Sequence, residues 1–389
     1  MYKRLLYTFI GTFSSGFLVW LTIVISSRIL PADDFTRFAT LNEFCLFFVS
    51  AIDTGLNIWF VKNSGQKQKN YSEFIVVKFI FSVIVLLLSL IFTRSIVDST
   101  LIFSYVFSMS IFLTFLSKCQ HENKMGTYSI LKFSSQLIRF SSLILPIVFF
   151  SIEIKLAFFF VSISLLILSI CLYLSDDTIS ISYSVDFNIV IGIIKVSIIL
   201  GLSGIVSASI ARVDIAVLTY YNMHEALSNY IVAQSYSRLI SMVNVVFSIV
   251  LLKKSFTATA KDYLVESLKL ILPIISSVMV ISFIIIEPCL MYFNGAAFGG
   301  SVRIFKYLAV LLIIESVFLP VVYLCIAKEL NSLILRSSLL MLMTNAVLDL
   351  YLAPRYGIDG VLVASLVAKI ISIIYLCFMF LKERNEKYN

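Results

Sequence analysis

An all-α bundle of about twelve membrane-spanning helices is the fold class this sequence predicts, and three observations predict it. The 389-residue chain is 60% hydrophobic and only 13% charged, with a mean hydropathy of +1.01, whereas soluble globular chains run near half apolar and about a quarter charged. Apolar stretches of about 20 residues, the length a helix needs to cross the hydrocarbon, recur along the whole sequence. No polar stretch between them exceeds roughly 18 residues, too few for a soluble catalytic domain of about 50. A transmembrane barrel would instead show short alternating segments.

Taken in order, the first six spans are expected at 5–27, 38–60, 72–93, 98–117, 128–150 and 154–174. Met1 to Arg4 ahead of the first imitates a signal peptide, but the apolar run continues to Ser27 without an Ala-x-Ala site, so it reads as a span. A polar stretch, Ser175 to Asp186, separates a second six at 187–210, 228–252, 264–287, 304–326, 331–352 and 358–381. Its pair Asp176-Asp177 reads as solvated loop. The sequence thus divides into an amino-terminal six-helix lobe, 1–178, and a carboxyl-terminal one, 179–389. Even numbers per block give repeats of one membrane orientation. Asp34 to Thr40 and Ala226 to Val232, each near the start of the second helix of its block, keep apolar and hydroxyl positions in the same order.

Charge sets orientation. The formal net charge is +8, and with a cytoplasmic amino terminus the inner loops and tails hold fourteen Lys and Arg against eight outside. Both termini are therefore expected in the cytoplasm. Six cysteines are scattered singly and read as small buried hydrophobes, and with two histidines no metal site or cofactor is expected.

Charges inside the spans carry the functional signal, because each costs about 2.5–3.5 kcal/mol at a helix centre. Lys78, Lys132, Lys195, Lys269 and Arg336 are close enough to helix ends to reach the interface. Asp53, Arg139, Arg238, Glu315 and Lys369 sit deeper and need partners or a wet cavity. Helical spacing gathers Ser129, Lys132, Gln136 and Arg139 on one face of the fifth span, Glu43, Ser50, Asp53 and Asn57 on one of the second, and Gln234, Arg238, Ser241 and Asn244 on one of the eighth. Such edges line a hydrated cavity or bond helix to helix. Arg139 and Arg238 favour the cavity; Glu315 and Lys369 favour a structural ion pair. Gly201 and Gly204 read as close helix packing. No phosphate loop, GxSxG elbow or HExxH is present, so the chain does not read as an enzyme, and its dispersed aromatics do not read as a nucleic-acid platform.

Several segments go further. Ser27-Arg28-Ile-Leu-Pro-Ala-Asp-Asp-Phe35, Ala51-Ile-Asp-Thr-Gly-Leu56, Arg212-Val-Asp-Ile215 with Ser228-Asn-Tyr230, Phe293-Asn-Gly-Ala-Ala-Phe298 and Pro354-Arg-Tyr-Gly-Ile-Asp-Gly360 resemble, in order and position, those of the O-antigen and capsule polysaccharide flippases. These are Wzx-like members of the multidrug, oligosaccharidyl-lipid and polysaccharide (MOP) exporter superfamily. Thr36 and Ser228 stand where that family has Gly. The resemblance implies a V-shaped pair of lobes in the bacterial inner membrane, moving a polyprenyl-pyrophosphate-linked oligosaccharide from the cytoplasmic to the periplasmic leaflet. Arg139, Arg238, Lys132, Arg28 and Arg212 would then meet the pyrophosphate by charge-assisted hydrogen bonds. Asp53 and Asp214 would close ion pairs in the empty state, and Asp53 or Glu315 would carry a coupling proton. A proton or sodium gradient and a polysaccharide polymerase are the partners the resemblance leaves open. Other readings compete: a polysaccharide polymerase or ligase, which calls for a long periplasmic loop; a drug or cation antiporter of the same superfamily, which calls for a carboxylate-dominated cavity; and a peptidoglycan-precursor flippase, which the chain also resembles but which calls for two more helices than 389 residues readily hold.

Overall fold

The computed structural model describes residues 2–63, 71–122, 124–150, 152–175, 186–255, 260–328 and 330–386. Lys67, Lys69 and the Asp176-Asp177 pair lie outside the described residues, as does the side chain of Asn57. Among the described residues every regular element is helical. The elements are α1 (Tyr2–Ile29), α2 (Ala32–Asn63), α3 (Tyr71–Thr93), α4 (Ile96–His121), α5 (Met125–Phe150), α6 (Ile154–Leu174), α7 (Phe187–Ile210), α8 (Val213–Tyr220), α9 (His224–Ser255), α10 (Ala260–Phe293), a 3-10 turn (Ala296–Phe298), α11 (Gly300–Ala327), α12 (Asn331–Tyr356) and α13 (Ile358–Glu386). All but α8 and the 3-10 turn are of membrane-crossing length, and nine are apolar enough to cross over their described residues.

The helices begin and end where local chemistry dictates. Pro31 precedes α2 and Asp33 and Asp34 fill its first turn, acids placed against the positive end of the helix dipole. Asp186 caps α7, its carboxylate accepting from the Asn188 amide at 2.9 Å. Gly357, at φ +59°, ends α12 in a conformation that side chains resist. Inside the spans the hydroxyls of Thr22, Ser82, Ser162 and Ser169 donate back to the carbonyl four residues earlier, so none of the four faces hydrocarbon unsatisfied. Large apolar side chains are exposed along the spans, Leu87, Ile91, Phe149, Ile284 and Phe378 among them, as a lipid-facing surface requires.

The helices group into two units. Unit 1 comprises residues 1–22 and 37–212, and unit 2 residues 23–36 and 213–389. In unit 1, α4 packs against α3, α5 and α6, and α7 lies on α3. In unit 2, α9, α10 and α13 pack on α11, α13 runs beside α12, and the short α8 sits against α9 and α12. The tip joining α1 to α2 belongs to unit 2: Asn294 donates to Ser27, Tyr236 donates to Asn294 at 2.7 Å, and the Phe35 ring meets Phe298 edge-on at 5.2 Å.

Tight turning between α12 and α13 needs Gly360, where an added Cβ would fall 2.5 Å from the Leu352 carbonyl oxygen. Because backbone cannot yield as a side chain can, Gly360→Ala is expected to cost about 1–3 kcal/mol, read as a lower unfolding midpoint in detergent. An unchanged midpoint would mean the two helices are free to part at this end.

Candidate functional site

Unit 1 is built around charges that the helices cannot leave facing lipid. Lys78 of α3 is fully buried and donates to Asp53 of α2 at 2.8 Å and to the Ser110 carbonyl of α4, while the Ser110 hydroxyl lies 3.4 Å from the same Asp53 oxygen. The expectation that Lys78 reaches the interface is thus corrected. A carboxylate on α2 holds it inside, and burying the ammonium with that partner replaces snorkelling. Asp53 accordingly faces Lys78 rather than an arginine.

Arg139 of α5 lies on the predicted polar face and is 2% exposed. Its Nη2 donates to Asn42 of α2, its Nη1 to Gln136 at 3.3 Å, and the guanidinium carbon lies 5.7 Å from the centre of the Tyr105 ring of α4. Among the described residues no carboxylate stands within ion-pair distance of it. Lys132, two turns earlier on the same face, is half-buried with its ammonium 5.8 Å over the Tyr128 ring. Arg212, at the end of unit 1, lies 3.6 Å from the buried carboxylate of Glu43. That places Arg212 beside an acid next in sequence to Asn42.

Unit 2 gathers acids. Asp214, in the first turn of α8, accepts from the Tyr230 hydroxyl of α9, from Asn345 Nδ2 of α12 at 2.7 Å and from Ser365 Oγ of α13 at 2.9 Å. Asp349, one turn beyond Asn345, is 0% exposed; it lies within hydrogen-bonding reach of Asp214. With both acids ionised, neither carboxyl oxygen of Asp349 accepts from any donor among the described residues. Among the described residues no Lys or Arg forms an ion pair with either acid. Two carboxyl groups in contact need a proton or a cation between them, since like charges cannot share a low-dielectric site. Asp214 therefore meets an acid and three neutral donors, not an arginine.

The remaining predicted residues are dispersed through unit 2. Arg238 of α9 is half-buried and donates to Gln234 at 2.7 Å, and farther along that face Asn244 accepts from Ser316 of α11 at 2.7 Å. Glu315 of α11 and Lys369 of α13 stand 3.4 Å apart, the lysine largely covered and the acid half exposed. Arg28 is exposed at the α1–α2 tip, its Nη1 against Gly295, where an added Cβ would fall 2.8 Å from it. Asn42, Tyr105, Lys78, Asn345, Asp349 and Ser365 were not among the residues expected at the site. Asn345 and Asp349 carried a signal, an Asn and an Asp four apart inside an apolar span; the others are polar side chains whose partners come from distant helices.

No family model matches the chain, and no curated protein matches it by sequence. Solved structures do match in fold. The lipid II flippase MurJ, in an inward-closed conformation, superposes with a TM-score of 0.76 at 18% identity over 97% of this chain and 87% of its own. The Vibrio cholerae MATE transporter VcmN, as a point mutant, gives 0.63 at 10% identity over 99% and 96%. An inward-facing MATE transporter of the MOP superfamily gives 0.62 at 12% identity over 97% and 94%. The chain shares the fold of these three proteins. On that fold the Arg139 cluster belongs to the amino-terminal helices and the paired acids to the carboxyl-terminal ones.

Proposed function

We propose that this chain is a flippase that carries polyprenyl-pyrophosphate-linked oligosaccharide repeat units, of the O-antigen, capsule or exopolysaccharide kind, across the bacterial inner membrane by alternating access. The sequence halves 1–178 and 179–389 act as its two lobes, with both termini cytoplasmic. The observation that carries the reading is Arg139, a guanidinium deep in a membrane span without a carboxylate partner among the described residues. A charge left so in a low-dielectric layer is an attractor for an anion crossing it. Arg238, Lys132, Arg28 and Arg212 are the further cations proposed to meet the pyrophosphate, and the likeness in fold to the lipid II flippase MurJ supports a lipid-linked substrate.

The test is transbilayer movement of a polyprenyl-pyrophosphate oligosaccharide in proteoliposomes. Arg139→Ala and Arg238→Ala, checked for folding, are each expected to slow movement roughly tenfold or more, the loss of a charge-assisted contact of about 1.5–3 kcal/mol. Elongation of the glycan without movement would install the polymerase reading instead. Variants that match the parent would leave the function and remove these residues from the path.

A second reading, a cation-coupled antiporter, is favoured by the Asp214–Asp349 pair. In the flippase the same pair supplies the coupling site for a proton or a monovalent cation.

A further inference from the structure

Among the buried donors of unit 1 that have no acceptor among the described residues, three fall together. They are Arg139 Nε, Asn42 Nδ2 and the Tyr105 hydroxyl, and each belongs to a residue no more than 2% exposed. They come from α5, α2 and α4, so no single helix accounts for them. They form one cluster, because the guanidinium bonds Asn42 through Nη2 and lies over the Tyr105 ring. The acids nearby are engaged elsewhere: Glu43 lies 3.6 Å from Arg212, and Asp53 is 2.8 Å from Lys78. A guanidinium cannot shed its proton to escape burial, so its charge needs an anion.

We propose that unit 1 holds a small inorganic anion, of chloride size, between Arg139, Asn42 and Tyr105. Nη2 and Nη1 already give one N–H each, to Asn42 and to Gln136, which leaves fewer paired N–H groups for the two-pronged grip of a carboxylate or phosphate. The atoms left without a partner, Arg139 Nε, Asn42 Nδ2 and the Tyr105 hydroxyl, come one from each of three helices, an arrangement that suits a single atom. The enclosure of all three side chains favours the same ligand over a sugar-bearing pyrophosphate. The halide is the counter-ion of the empty state. Its displacement by pyrophosphate, unlike its binding, rests on the flippase reading.

The experiment measures the thermal unfolding midpoint of the purified full-length protein in sodium chloride, sodium bromide and sodium gluconate at equal ionic strength, with inorganic pyrophosphate added to the gluconate sample in a further arm. Chloride and bromide are expected to raise the midpoint by a few degrees with a saturating dependence, as any ligand of the folded state does. Asn42→Leu and Tyr105→Phe, each removing one donor, are expected to raise the chloride concentration for half effect about tenfold. Arg139→Gln is expected to abolish the shift, and Arg303→Gln, at an exposed ion pair, to leave it intact. Should Arg139→Gln fail to fold, anomalous scattering from bromide in crystals of the parent decides: a peak between α2, α4 and α5 supports the site, and its absence overturns it. Equal midpoints in chloride and gluconate, or a shift that survives Arg139→Gln, would also overturn it. A shift with pyrophosphate and none with halide assigns the donors to a phosphoryl group instead. Loss of lipid-linked transport with the halide shift intact counts against the flippase reading alone.

Discussion

Breaking the Lys78–Asp53 pair from either side is expected to destabilise the protein more than any other single substitution in unit 1. Lys78→Met leaves the Asp53 carboxylate without its counter-charge in the membrane interior, and breaking a buried pair from one side costs about 3–5 kcal/mol. Asp53→Leu alone is expected to cost as much, since it strands a fully buried cation. The double variant Asp53→Leu with Lys78→Met removes both charges and is expected to recover most of the loss, because an apolar pair of similar volume needs no desolvation. Unfolding in detergent of the four proteins forms a double-mutant cycle, and the sign of its coupling decides. Single variants that each cost less than about 1 kcal/mol would show the pair to be hydrated, as exposed ion pairs are.

The second large effect is expected at the acids of unit 2. Asp349→Asn and Asp214→Asn each remove the second carboxyl of the pair, and with it the need for a proton or cation between α8 and α12. Transport driven by an imposed proton or sodium gradient is expected to fall roughly 5–150-fold in either variant, the range that a coupling energy of about 1–3 kcal/mol spans. Exchange without a gradient is expected to persist, since the cationic residues of unit 1 are untouched. The comparison of driven and undriven movement in the same proteoliposomes carries the test. Gradient dependence that survives both substitutions would move the coupling site elsewhere, with Glu315 and its partner Lys369 the next to vary.

The spans were legible because a helix needs an apolar run of fixed length to cross a bilayer, and the long helices among the described residues all overlap the stretches that hydropathy marks. What the hydropathy could not mark is where helices extend past the hydrocarbon. Helix α9 begins at His224, several residues ahead of its apolar window, because polar residues continue a helix in water as well, whereas α10 runs on to Phe293 through Leu290, Met291 and Tyr292, apolar residues beyond the Pro288 at which the expected span stops. The eight-residue α8 was invisible as an element, although its sequence Arg212-Val-Asp-Ile215 stood out as a motif. Arg139 and its polar face were legible from spacing along one helix. Its neighbours were not: Asn42 and Tyr105 lie on helices far away in the chain, and neither looks unusual in its own span. Lys78 misled for a physical reason, since a long side chain near a helix end can reach water, and only the position of Asp53 on α2 decides that it does not.

Neither unit is made from one continuous stretch of chain. Unit 2 takes the tip at residues 23–36, and unit 1 takes α7, which begins at Phe187, beyond the polar stretch that separates the two halves of the sequence. During synthesis the first half therefore leaves the ribosome lacking one of its helices, and the tip of α1 and α2 waits through most of translation for the Asn294 it will bond. Order of manufacture and order of assembly differ in this molecule, and a chain interrupted at the central linker would yield two fragments, each still holding a piece that the other needs.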